Sequence, residues 1–390
     1  MFGFLAKKLI KNHGDYKNPE VRDKYGMLSG AVGIFFNILL FGAKIAAGLL
    51  SGSVSMVADA LNNLTDAGSS VITFIGFKLA AKPTDREHPF GHGRMEYVTG
   101  LIVSMLIFLV GFELIRSSAE KLFSGSDMQF SYPLVIVLGC SILVKLYMFA
   151  YNSVTAKKIN SAAMRATALD SITDCFATLA VVISVLLNKF LGWQVDGIAG
   201  MIVAVFILCT GIKSAKETIG LLVGDAPDPE YVREIKKTVL SSPCVLGVHD
   251  LMVHSYGPGR QIISLHAEVG ADSDILTAHD NIDNIERELE KKFKCIAVIH
   301  MDPVVKDERT DRERKVVEDI VKGVNPRFSI HDFRMVEGPT HTNLIFDVAV
   351  PPEFNGDNAK ITKEINEKVK QIDEKYNVVC QIEKAFTYDE

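Results

Sequence analysis

Six long apolar runs occupy the first half of the chain, near 28–50, 55–79, 97–115, 132–150, 166–187 and 195–212. Each is at or close to the roughly 20 residues that cross the hydrocarbon of a bilayer. Backbone polar groups in lipid must be satisfied within the segment itself, so such runs can only become helices or a closed barrel, and their length selects helices. The chain is 48% hydrophobic yet 23% charged, so the two properties must be segregated along it. They are: from about Lys213 the sequence alternates strand-like runs with charged, helix-patterned ones. The boundaries read from this pattern are a cytoplasmic N-terminal segment at 1–27, a six-helix transmembrane domain at 28–212, and two cytoplasmic α+β domains at 213–305 and 306–390.

Orientation follows the basic residues of the connections. Lys7, Lys8, Lys11, Lys78, Lys82, Arg86, Arg94, Lys157, Lys158 and Arg165 fall on one side, against Arg116, Lys121 and Lys189 on the other. Both termini are therefore expected in the cytoplasm, with the helices in the cell inner (plasma) membrane. The N-terminal stretch lacks the apolar length and the small-residue cleavage site of a signal peptide. A net charge of −5 leaves no footprint for nucleic acid. The six cysteines are scattered without a CxxC pair, which suggests neither a disulfide framework nor a thiolate zinc site.

Two of the apolar runs carry acidic and amide side chains at i and i+4: Asn62 and Asp66 in the second, Asp170 and Asp174 in the fifth. That spacing stacks two side chains on one helix face. A carboxylate at membrane depth costs about 2.5 to 3.5 kcal/mol on insertion scales and usually marks an ion or proton path. The reading is a divalent-cation site. The competing reading is a buried ion-pair network, for which Lys44 and Lys145 lie in predicted spans. Asp59 and Asn63 read as supporting or packing residues, and Cys175 points about 100° away from Asp174.

The connection KPTDREHPFGHGRMEY gathers Asp85, Glu87, His88, His92 and Glu96 between two spans. Beyond 213 the order αββαβ occurs twice, and GVHDLMVHSYGPGRQIISLHAEV aligns with SIHDFRMVEGPTHTNLIFDVAV. We read an internal duplication. His249 and Asp250 then match His331 and Asp332, while His266 falls on Asp347 and the pair His300 and Asp302 on Gln381 and Glu383. His300 and Asp302 alternate on one strand and share a face.

With NNLTDAG, HPFGHGRMEY, DSITD and the VHD, LHAEV and IHMDP strands, the chain resembles the cation diffusion facilitator family over roughly residues 25 to 305. The resemblance implies a six-helix, homodimeric exporter that exchanges cytosolic divalent metal for protons, with ferredoxin-like cytoplasmic domains that bind regulatory metal and hold the dimer together. It places Asn62, Asp66, Asp170 and Asp174 at the transport site, and Asp85, His88 and His92 where zinc-type relatives have a second metal site. His249, His266, His279, His300 and Asp302 fall on its cytoplasmic sites. Zinc-type members typically carry histidine at the place of Asp170. Carboxylate and carbonyl oxygens suit harder ions than imidazole does, and the set here is similar to that of bacterial manganese exporters. Mn2+ is therefore the expected cargo, with Fe2+ close behind and a Zn2+/H+ antiporter as the alternative. No tightly bound cofactor is expected.

In the second copy His331, Asp347 and Glu383 could form an oxygen-rich site, although a packing or oligomerisation surface is the preferred reading. A metal-responsive membrane sensor or scaffold is the reading from a different class, and a cation channel is another. An enzyme is disfavoured, because no nucleophile, base and orienting group stand together and no GxxxxGK[ST] loop is present.

Overall fold

The computed structural model describes residues 1–16, 18–51, 54–124, 132–191, 196–305 and 307–385. Two compact units make up the chain, one built chiefly of Met1–Asp225 and the other from Ala226 onward.

The first unit is helical: α1 (Phe2–Leu9), α2 (Pro19–Ser51), α3 (Val54–Ala80), α4 (Met95–Ser124), α5 (Tyr132–Ile159), α6 (Ala162–Leu191) and α7 (Asp196–Val223). Among the described residues, five stretches are long and apolar enough to cross a membrane: Pro19–Ala47, Met95–Glu120, Val135–Ile159, Ala162–Leu191 and Gly197–Val223. α3 has 27 residues, enough to cross, but is not among them, because Asn62, Asn63, Asp66 and several Ser and Thr dilute its apolar character. The six-span expectation is therefore met in five. The helices run past the expected limits, α2 by nine residues at its start and α5 by nine at its end. Apolarity stops where the hydrocarbon would stop, but i to i−4 hydrogen bonding continues through the charged turns beyond.

Large apolar side chains such as Phe35, Leu39, Phe112, Leu143 and Ile202 stay exposed on the outside of this unit, as lipid-facing positions require. Polar residues do the opposite and tie helix to helix. Asn37 on α2 donates to Ser70 on α3 at 3.2 Å, Thr73 on α3 meets Thr167 on α6 at 3.1 Å, and Ser104 on α4 meets Ser214 on α7 at 2.8 Å. Hydrogen bonds and small residues are the usual glue where no hydrophobic force acts between helices. Gly76 shows the second device: a Cβ there would lie 1.8 Å from Thr99 Oγ1, so α3 and α4 approach through the missing side chain. At one end of the bundle Arg22 joins three helices, with Nε donating to the Ile159 carbonyl at 2.6 Å and the guanidinium 3.5 Å from Glu96.

The second unit contains two lobes with the same element order. The first is α8 (Pro229–Leu240), β1 (Val245–Ser255), β2 (Gln261–Gly270), α9 (Ile275–Phe293) and β3 (Cys295–Val304); the second is α10 (Glu308–Val324), β4 (Ser329–Glu337), β5 (Thr342–Val350), α11 (Asn358–Lys370) and β6 (Tyr376–Lys384). Each forms a three-stranded sheet with the hairpin antiparallel and the third strand parallel beside β2 or β5. All four helices begin on an aspartate whose side chain accepts a backbone N–H of the first turn: Asp228, Asp274, Asp307 and Asp357.

Alternation along the strands divides each sheet into two faces. Ile263, Leu265, Ala267 and Val269 of β2 pack with Val232, Ile235, Ile282 and Leu289 of the helices, and Leu344, Phe346, Val348 and Val350 of β5 do the same with Val317, Val321, Ile361 and Ile365. The opposite faces carry the polar residues. Both hairpins also share a bulge, with register shifts after His249 and His331 and left-handed backbone at Asp250 (φ 48°) and Asp332 (φ 53°). Aspartate is among the few side chains that tolerate that conformation.

Candidate metal centres

In the helical unit, Asp66 of α3 and Asp170 and Asp174 of α6 each offer an oxygen within 4.8 Å of the others. The i, i+4 spacing on α6 and the buried stripe Asn63, Asp66, Ser70, Thr73 and Phe77 on α3 turn the carboxylates toward one another. A cation already stands among them. Lys145 of α5, almost fully buried, places Nζ 2.8 Å from Asp66 Oδ2 and 2.5 Å from Asp174 Oδ2. Lys44, also buried, lies within electrostatic range of Asp66.

The sequence named Lys145 only as a partner in the competing reading, since a lone lysine in an apolar run does not reveal which helix face it shares. Asn62 is not brought into the group. It lies on the flank of the buried stripe and is exposed, whereas Asn63 is buried and donates to Asp66 Oδ2 at 3.4 Å. Asn63 sits three residues before Asp66, which places it on the same face as readily as four would. The side chain of Asp59 lies outside the described residues.

In the connection between α3 and α4, Asp85, His88 and His92 converge. Asp85 is 3.3 Å from His88 Nδ1 and 3.4 Å from His92 Nε2, and the two rings lie 4.4 Å apart. Asp85 also accepts the backbone N–H groups of Glu87 and His88 at 3.1 and 2.7 Å. The hydrogen bond from the His88 backbone is the main reason its carboxyl is held below the usual carboxylate range. That leaves an anion between two imidazoles.

On the polar face of the first lobe, His249 is opposite His266 and His266 opposite His300, with Asp302 two residues further along β3. Asp302 Oδ2 meets His249 Nε2 at 3.2 Å and His266 Nδ1 at 2.8 Å, and its Oδ1 lies 3.4 Å from His300 Nε2. His249, His266 and Asp302 form a group within ligand distance, with His300 at its exposed edge. Burial first, and then the neighbouring His331, hold His249 below the ordinary histidine range, which favours the neutral imidazole that a metal requires. The Nδ1 of His249 is buried without a hydrogen bond. The donors thus fit a divalent metal of the zinc or manganese kind. His279 is not brought to this face. It sits on α9, exposed and 3.7 Å from Asp283, because a motif position fixes a place in the chain but not the layer to which it folds.

Comparison with known proteins agrees with this division. Residues 31–223 match the cation efflux transmembrane domain and 227–304 the cytoplasmic domain of cation efflux proteins. The chain is 32% identical over 278 residues to an uncharacterised transporter of Methanocaldococcus jannaschii, covering 69% of this chain and 95% of that one. It is 29% identical over 283 residues to the manganese efflux system protein MneS of Bacillus subtilis, with 72% and 97% covered. Against the cation-efflux pump FieF of Shewanella oneidensis it is 27% identical over 283 residues, with 72% and 95% covered. A helical membrane unit with carboxylates gathered inside it, followed by the matching cytoplasmic domain, belongs to a transporter and not to an enzyme: this chain is a member of the cation efflux family.

Proposed function

We propose that the chain exports Mn2+ from the cytoplasm in exchange for protons, with Fe2+ the nearest competitor and Zn2+ a weaker one. The observation that carries this reading is the gathering of Asp66, Asp170 and Asp174, all oxygen donors, without an imidazole among them. The resemblance of MneS in name and sequence supports the same choice. In this reading α3 is the sixth span, made tolerable in lipid by burying its polar stripe against α2 and α6. The two lobes are ferredoxin-like copies of one domain, supported by their common element order and bulge. The family's cytoplasmic domain argues for a homodimer with both termini inside.

The charge arrangement suggests how exchange proceeds. Three carboxylates in one small volume need a counter-cation, and Lys145 and Lys44 supply two positive charges against three negative. An arriving Mn2+ takes oxygens from the Lys145 ammonium, which withdraws. On the return step protons and the ammonium share the carboxylates again. Alternating access requires only that the cleft open to one side at a time, with no covalent chemistry. Asn62 is exposed one helical turn before Asp66, and in this reading its amide adds a carbonyl oxygen to an entering ion.

The His249, His266 and Asp302 group is assigned to regulatory metal. The Asp85, His88 and His92 group is assigned to a loop ion.

Transport by purified protein in proteoliposomes tests the reading. Asp174→Ala is expected to abolish Mn2+-driven proton movement. Flux of parental magnitude would refute the proposed site, whereas single-channel currents would indicate a pore.

A further inference from the structure

The polar face of the second lobe has chemistry that the transport reading leaves unused. His331 is opposite Asp347 across β4 and β5, and Ala349, two residues along β5, is opposite Glu383 on β6. These registers put His331, Asp347 and Glu383 on one face, and their ligand atoms lie within 4.8 Å of one another. They occupy the stations that His249, His266 and Asp302 hold in the first lobe, with one imidazole and the aspartate replaced by Asp347 and Glu383.

His331 is only 7% exposed, yet neither ring nitrogen makes a hydrogen bond. Its Nε2 is 3.1 Å from Glu383 Oε1, but the pair lacks hydrogen-bond geometry, and Glu383 Oε1 is likewise buried without a partner. Leaving such groups unsatisfied when buried is costly. Lone pairs that converge without bonding to one another describe a place for a cation.

The first lobe closes the group. The bulge at Asp250 brings its Oδ1 to 3.7 Å from His331 Nε2, and the His249 ring stacks on His331 at 4.5 Å and 26°. His331 is thus shared by two groups within ligand distance, one with Asp250 and His249 and one with Asp347 and Glu383, so that three carboxylates approach one imidazole. Three of the four lysines and arginines on the adjoining cavity wall pair with other carboxylates: Arg314 with Glu268 at 3.5 Å, Lys322 with Glu318 at 2.7 Å and Arg327 with Glu353 at 2.6 Å; the fourth is Lys236.

We propose that Asp250, His331, Asp347 and Glu383 bind one divalent cation that joins the two lobes. With three carboxylates to one imidazole, the site takes an oxygen-preferring ion such as Mn2+ or Fe2+, in contrast to the His249, His266 and Asp302 group beside it, which is richer in nitrogen. Occupancy couples the lobes, because one ligand comes from β1 and the others from the second sheet.

The test counts Mn2+ bound per chain by the purified, full-length protein in detergent, using MnCl2 titration. Asp347→Asn with Glu383→Gln should lose one equivalent relative to the parent. Asp250→Asn should weaken the same equivalent at least tenfold although it lies on the other lobe. Asp174→Ala should remove a different equivalent, so that failure of the transport site is seen separately from failure of this one. The Asn and Gln replacements keep size, and without metal the double variant should melt at or above the parental temperature, since the mutual repulsion of two partly buried carboxylates is gone. Unchanged binding in the double variant overturns the site. An ion loss accompanied by a lower metal-free melting temperature also overturns it, and an unaffected Asp250→Asn chain overturns the link between lobes.

Discussion

Replacing Lys145 by Met removes the ammonium from the carboxylate cluster while keeping the length and apolar stem of the side chain. The Nζ lies 2.8 Å from Asp66 and 2.5 Å from Asp174. With an effective dielectric constant of about 20, a unit pair at these distances is worth about 6 kcal/mol before desolvation. Desolvation returns most of this, and breaking a buried pair by removing one partner costs about 3 to 5 kcal/mol net. The metal-free Lys145→Met protein should therefore be destabilised by that amount. Mn2+ should recover it by neutralising the three carboxylates.

Binding should move the other way from stability. The ion no longer competes with the ammonium, so its affinity should rise at least tenfold, which corresponds to about 1.4 kcal/mol. Turnover should fall, because nothing helps the ion leave. Titration calorimetry with Mn2+, melting curves with and without the ion, and proteoliposome flux read the three effects. Mn2+ binding no tighter than in the parent, together with an unchanged metal-free melting temperature, would refute the displacement of Lys145 by the cargo.

Asp170→His adds a nitrogen ligand to an oxygen set and should shift the Mn2+ to Zn2+ flux ratio toward zinc; an unchanged ratio in competitive flux would place selectivity elsewhere. The two adjacent asparagines should separate by readout. Asn63→Ala, at a buried site beside Asp66, should lower the melting temperature, at a cost of about 1 to 3 kcal/mol for an unsatisfied buried group. Asn62→Ala, at an exposed site, should leave melting unchanged and reduce Mn2+ flux about tenfold. Parental flux in Asn62→Ala would remove that amide from the ligand set.

The helical runs were legible because lipid imposes length and apolarity on each span independently, and the carboxylates were legible because i, i+4 spacing is local. Lys145 could not be paired from the sequence, since its partners depend on the rotation of α5 against α3 and α6. Asn62 and Asn63 differ by one residue, or about 100° around the helix, and only packing decides which of them faces Asp66. In the second unit the hairpin alignment already equated His249 with His331 and His266 with Asp347, and the strand registers place both pairs as aligned. What alignment could not supply was depth: His279 matched a motif position but stands on a helix, away from the polar face of the sheet.

The two lobes amount to a natural comparison in which backbone is held fixed and donors change. Element order, strand register and the left-handed aspartate after the first histidine are common to both, so geometry alone cannot explain a difference in the ion each would hold. That difference must come from exchanging His266 for Asp347 and Asp302 for Glu383, which lowers the nitrogen count and lengthens one carboxylate arm. The same exchange would turn the oxygen-only group of Asp66, Asp170 and Asp174 into a histidine-bearing one. If donor type governs selectivity at both depths, Asp347→His should move the second-lobe ion toward zinc just as Asp170→His moves the cargo. A shift at one site without the other would mean that the surrounding packing, not the donor atoms, sets the choice.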